Sequence, residues 1–135
     1  MISALYTVFV EGDDLSDPIA DAVRGILDGH IVMSRSLAEK GHFPAVDVLQ
    51  SVSRLAPELI DKAQFELASR ARDALGTFRD VQDLIQVGAY TRGSDPRVDT
   101  AVAIVPAING FLRQPVSERT PVGQSWARLA VALRG

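Results

Sequence analysis

The 135 residues predict an α/β segment followed by an all-α segment. Three observations carry that reading. Residues 2–10 are apolar on both faces, as a strand covered on both sides in a parallel sheet would be. Short strand and helix patterns then alternate as far as about residue 56. Beyond Pro57 the composition becomes helix-forming, and apolar residues recur at alternating spacings of four and three. The expected units are therefore an α/β part over residues 1–56 and a helical domain over residues 57–135.

Element by element, Ala4, Tyr6, Val8 and Val10 alternate against Leu5 and Phe9 in the first strand, which calls for neighbouring strands. A helix follows over residues 18–27, with Asp17 as N-cap and Pro18 at the first helical position, where its missing N–H costs nothing. Residues 30–33 form a short strand, residues 36–40 a helical turn ended by Gly41, and residues 45–49 another strand. In the second half Leu67, Ala71, Ala74, Phe78, Val81 and Ile85 mark one side of a long helix. Gly76 interrupts it at about 1 kcal/mol relative to Ala, the mark of a bend or a close packing contact. The glycines, Ser94, Asp95 and Pro96 of residues 88–96 end that helix in a loop. Further helices are expected over residues 96–112, weakest at Pro106, and over residues 122–133.

Bulk properties exclude several functions. A net charge of −3 with dispersed Lys and Arg does not suit a nucleic-acid surface, which needs clustered cations against phosphates. Cysteine is absent, so disulfides and thiolate metal sites are excluded. No run approaches the roughly 20 apolar residues of a membrane-spanning helix, and the first residues lack the basic start of a secretory signal. The expected location is the cytoplasm. His30 and His42 have no carboxylate at metal-ligand spacing and read as structural, and Ser34, Ser51 and Ser53 lack the surroundings of a nucleophile.

Several segments are more specific. Glu11-Gly-Asp-Asp-Leu-Ser-Asp-Pro18, Leu27-Asp-Gly-His-Ile-Val-Met-Ser-Arg35 and Gly41-His-Phe-Pro-Ala-Val-Asp-Val-Leu-Gln-Ser-Val-Ser-Arg54 are followed in order by Gly88-Ala-Tyr90 and Phe111-Leu-Arg-Gln-Pro115. Together they resemble the flagellar and type III secretion export ATPases, relatives of the rotary ATP synthase catalytic subunit, along essentially the whole chain. The resemblance implies the last strands of a RecA-like nucleotide domain followed by a C-terminal helical domain. It also implies a hexamer that uses ATP and Mg at the cytoplasmic base of a secretion apparatus, with a coiled-coil stalk protein and export substrates or chaperones as partners. These residues contain no G-x-x-x-x-G-K-[ST] loop to cradle phosphates. The expected piece is thus the C-terminal portion, not catalytic alone. A stand-alone helical module that binds a stalk or chaperone is the alternative.

The resemblance assigns roles to particular residues. Arg54 falls where the superfamily places an arginine finger that reaches a neighbour's γ-phosphate, a task for a permanently charged, forked cation. Its bland alternative is a surface arginine paired to Asp47. Arg35 has similar local context and reads as structural. Phe43 stands at an aromatic position that stacks on adenine, or else packs in the core under Pro44. After Gln114-Pro115 the relatives carry a second aromatic wall; Val116 here departs from that and offers only a looser apolar one. Asp13 and Asp14 would touch the stalk from the central hole of the ring. Arg92, Asp95 and Arg97, in the turn that replaces the synthase's lever, either meet the stalk or are simply solvated.

Overall fold

The computed structural model describes residues 3–10 and 17–134. Asp13 and Asp14 lie outside the described residues. Among the described residues six helices and two strands follow one another as α1 (Pro18–Ile26), β1 (Gly29–Met33), α2 (Arg35–Glu39), β2 (Val46–Ser53), α3 (Ala56–Leu59), α4 (Lys62–Gln86), α5 (Pro96–Leu112) and α6 (Val122–Ala132). This is a short two-stranded sheet followed by helices, the α/β-then-α order expected.

Local chemistry explains the boundaries. Asp17 caps α1, its Oδ1 accepting from Ile19 N at 2.9 Å and Ala20 N at 3.1 Å. Asp61 and Gln64 form a reciprocal capping box at the start of α4. At its end Gly88 takes φ 71°, and the Gly88 and Ala89 N–H groups bond Ile85 O and Leu84 O. That doubly bonded left-handed stop satisfies carbonyls the helix would leave orphaned, and glycine is the residue that adopts it without strain.

The expected strand over residues 2–10 is not formed in its described part. Residues 3–10 have no regular structure, and Leu5 and Phe9 are almost fully exposed. A strand exists by its ladder, and among the described residues β1 and β2 pair only with each other, so no strand is set beside this segment although their outer edges stay free. They pair antiparallel, Gly29 opposite Ser53 and Met33 opposite Val46. Gly29 is required by close approach, since a Cβ there would lie 2.6 Å from Val52 O.

The core belongs to the helices. Ala71 and Ala74 of α4 meet Ala101, Ile104, Val105 and Ile108 of α5 and Leu129 of α6 with Leu133, while Leu67, Phe78, Phe111 and Trp126 pack around them. The small alanines let α4 approach the branched side chains of α5 closely. Val81 and Ile85, expected on the same seam, lie past that cluster and are only half-buried. Gly76 neither stops α4 nor makes a close contact, because a Cβ there would meet nothing within 4 Å. Pro106 also leaves α5 continuous. It sits on the exposed side, as does Val102, whose carbonyl it deprives of a partner, so water can satisfy that oxygen.

Candidate functional site

Residues 43–54 run along β2, with Phe43 before one end and Arg54 beyond the other. Because Val46 and Ser53 stand opposite Met33 and Gly29, β2 covers four steps of β1, about 13 Å, between them. The two therefore cannot serve the same end of one small ligand.

Phe43 is 58% exposed, so its ring is not the core residue that the alternative reading required. Its backbone carbonyl accepts from Gln114 N at 2.9 Å. That bond brings the Phe43 turn against the Gln114-Pro115-Val116 turn that follows α5, and Val116 is fully exposed. Two turns 71 residues apart in sequence thus share one surface, where an aromatic face and an apolar side chain are open to solvent. Such a surface can bury a flat ring.

Arg54 is exposed, and its guanidinium donates to the carbonyls of Arg24 and Gly25 at 3.2 and 3.4 Å. It thereby closes the C-terminal end of α1, where helix carbonyls lack partners. Its backbone N–H bonds Asp28 O at 2.8 Å. The expected alternative, an ion pair to Asp47, does not form. Asp47 is instead bound by Arg79 of α4, whose Nη2 lies 3.0 Å from Oδ1 and 3.1 Å from Oδ2.

The sequence offers Asp47 only as a possible partner for Arg54, yet it is the most heavily bonded side chain here. It is 5% exposed and accepts from Leu49 N at 3.0 Å, Gln50 N at 3.2 Å and Gln50 Nε2 at 2.8 Å besides Arg79. Burial would raise its pKa, but the hydrogen bonds from Gln50 and Arg79 and the Arg79 charge outweigh it and hold the carboxyl below its ordinary 3.8. Arg72, seven residues before Arg79 and so on the same side of α4, donates to Leu49 O at 3.3 Å and Ser51 O at 3.0 Å. The signals for this hub were present: a polar Asp47-x-x-Gln50-Ser51 run inside a strand, and two arginines two turns apart. A cleft of about 480 Å³ lies beside it, lined among others by Lys40, His42, Asp47, Arg79 and Arg113. Desolvation, and then the Arg113 charge, lower the pKa of His42 below 6.5.

At the 88–95 turn the charged residues are largely committed. Asp95 caps α5 through Arg97 N at 2.8 Å, Arg97 pairs with Asp73 at 2.9 Å, and Asp99 accepts from Gly93 N at 2.8 Å. Tyr90 Oη stands 3.0 Å from Asp99 Oδ1. Arg92 is exposed and makes no bond to the described residues. Among the described residues no group of three His, Asp or Glu side chains is placed to hold a metal ion, and no helix is long and apolar enough to cross a membrane.

Comparison with known proteins agrees with this layout. The family model described as the T3SS EscN ATPase C-terminal domain matches residues 60–131, and the nucleotide-binding domain of the ATP synthase alpha/beta family matches residues 1–53. The chain is 48% identical over 134 residues to a flagellum-specific ATP synthase of Pseudomonas aeruginosa, covering 99% of this chain and 30% of that protein. It is 45% identical over 128 residues to a type 3 secretion system ATPase of Pseudomonas syringae pv. syringae, 95% of this chain and 28% of the relative. The assembled ATPase EscN of the enteropathogenic E. coli type III secretion system superposes with a TM-score of 0.90 at 37% identity, over 95% of this chain and 31% of that one. EscN in complex with its central stalk EscO gives 0.81 at 35% identity, over 86% and 29%. The chain thus spans less than a third of the length of these relatives and matches the C-terminal part of flagellar and type III secretion ATPases. It belongs to their family, and more than half of it is the T3SS EscN ATPase C-terminal domain.

Proposed function

We propose that this chain serves as the C-terminal portion of a flagellar or type III export ATPase that couples ATP hydrolysis to protein secretion from the cytoplasm. Residues 1–56 supply the end of the nucleotide domain and residues 57–135 the helical domain. The observation that supports this reading is the Gln114 N to Phe43 O bond, which sets two turns side by side, each with an exposed apolar side chain, while Arg54 lies at the far end of β2. Phe43 and Val116 fit the adenine end of ATP. The described residues offer no phosphate cradle or magnesium ligand set, so the chain alone neither binds the nucleotide tightly nor turns it over. When bound in the intact ring, ATP with Mg supplies the phosphoryl group whose transfer drives the cycle. Arg54 reaches the neighbouring subunit's γ-phosphate, leaving the α1 carbonyls it bonds here, and stabilises charge that develops there.

The assembly is a hexamer, as the family resemblance implies. A stalk partner follows from EscN, whose complex with its stalk EscO this fold resembles. Asp13, Asp14 and the 88–95 turn are the contacts proposed for it. Within the turn Arg92 is the cation with no bond to the described residues, Asp95 and Arg97 being already engaged. Chaperones or export substrates would be received by the same helical domain.

The deciding experiment is Arg54→Ala in an assembled full-length ATPase carrying these residues. The expected result is a fall in kcat of about 10³-fold with nucleotide affinity little changed, and Arg54→Lys should recover little of it. Near-normal kcat would reduce Arg54 to the helix-end role it has in this structure. The second reading, an independent helical interaction module, is favoured by the confinement of the main core to the helices. Stalk binding by residues 57–135 with no effect of any substitution in residues 1–56 on activity would support it.

A further inference from the structure

We infer that Asp47 is a positioning residue for Arg54, and that Arg79 is the link through which the helical domain holds Asp47 in place. The inference rests on the reading of Arg54 given above. Its starting point is an irregularity in β2. Val32 pairs with Asp47 and His30 with Val52, so two steps along β1 correspond to five along β2. Residues 48–51 stand opposite Ile31 alone, a surplus of three, and leave the ladder as a bulge. Because strand side chains alternate, the length of such a bulge decides which face every later residue presents, Arg54 included.

Asp47 shapes this bulge. Its carboxylate gathers the N–H groups of Leu49 and Gln50 and the Gln50 amide, while its carbonyl accepts from Ser51 Oγ at 2.6 Å. Ser51 Oγ in turn accepts from Val32 N at 3.0 Å, tying the bulge back to β1 in place of the missing ladder bond. The carboxylate side chain is only 7% exposed, so it needs a charge partner, and that partner comes from α4. Arg72 grips the carbonyls on either side of Gln50. Two arginines of one rigid helix therefore fix the bulge at its root and crest, three residues before Arg54. None of these groups touches Arg54, which is why the role is positional.

The test is a double-mutant cycle in an assembled full-length ATPase carrying these residues. Asp47→Asn keeps an oxygen for Leu49 N and Gln50 N but meets Arg79 without charge. Expected is a fall in kcat of about 10-fold with KM for ATP changed less than about twofold, and less than a further twofold fall when Asp47→Asn is added to Arg54→Ala. Arg79→Met should behave like Asp47→Asn, and Arg79→Lys should recover most of the loss. An equal fall in both Arg54 backgrounds, or none in the first, overturns the inference. Amide exchange on the 135-residue chain separates this from failure of the Arg54 reading. Arg79→Met should speed exchange at Leu49, Gln50 and Arg54 by about 10-fold or more while Ala71 and Ala74 keep their protection. Unchanged exchange at those three amides overturns the inference whatever Arg54 proves to do.

Discussion

His42 is buried at the junction of the two halves, where protonating it would cost solvation first and also meet the charge of Arg113. Burial first, and then the Arg113 charge, hold its native pKa below 6.5, so between 6.5 and the lower native value the unfolded chain binds a proton that the folded chain refuses. Stability should consequently decline as pH drops below about 6.5, by no more than about 1.4 kcal/mol per pH unit. Urea unfolding followed across this range measures it, and His42→Gln should flatten the slope. The Asp47 contribution has the usual carboxylate sign: it is present above 3.8 and lost as pH falls through the still lower native value. Phe43 gives a third expectation at this scale. If its exposed ring receives adenine, Phe43→Ala in the full-length ATPase should raise KM for ATP by about 10-fold with kcat changed less, whereas Phe43→Tyr should be nearly silent, as steady-state kinetics would show. Sequence reading picked out Phe43 and Arg54 through the motif around them and took His42 as structural. It missed the hub at Asp47 because a carboxylate's role depends on which helix arrives opposite it, and Arg79 is 32 residues away.

Helix α4 shows what periodicity can and cannot deliver. Its spacing identified Leu67, Ala71, Ala74 and Phe78 as core-facing, and α5 begins and ends where Pro96 and the Arg113-Gln114-Pro115 exit require. The first strand failed for a different reason: a pattern of apolar residues describes the side chains a strand would offer, whereas forming it needs partner strands to supply the hydrogen bonds. The antiparallel pairing of β1 with β2 was likewise hidden, because α2 between them could equally have been a crossover. Two substitutions test the account of α4. Gly76 lies in open space within a continuous helix, so Gly76→Ala should stabilise the chain by about 1 kcal/mol. Gly88→Ala should destabilise it by a similar amount, about 1 kcal/mol, because φ 71° strains any residue with a Cβ. Thermal or urea unfolding reads both, and a loss of stability in Gly76→Ala would mean that α4 has to bend there.

On the scale of the whole molecule, stability is unevenly placed. The helical part buries a cluster of eight residues, whereas the α/β part leaves Leu5, Tyr6, Phe9, Ile31 and Met33 largely open to water. Residues 57–135 should therefore fold alone and unfold cooperatively, while the 135-residue chain should self-associate with rising concentration through those apolar groups and the free strand edges. Amide exchange should be slow over residues 67–85 and fast over residues 3–10, and sedimentation would compare the two chain lengths; the opposite order of protection would refute this division. Protection appearing at residues 90–99 only with a stalk protein present would locate that contact.

The opposite placement of Phe43 and Arg54 along β2 has a counting consequence for the proposed assembly. Each copy carries half of two different sites, one half for itself and one for the next copy in line. A linear row of subunits then always holds one site fewer than it has members, with an idle arginine at one end and an idle ring at the other. Only when the last copy meets the first does the number of complete sites equal the number of chains, so closure adds a site without adding a protein.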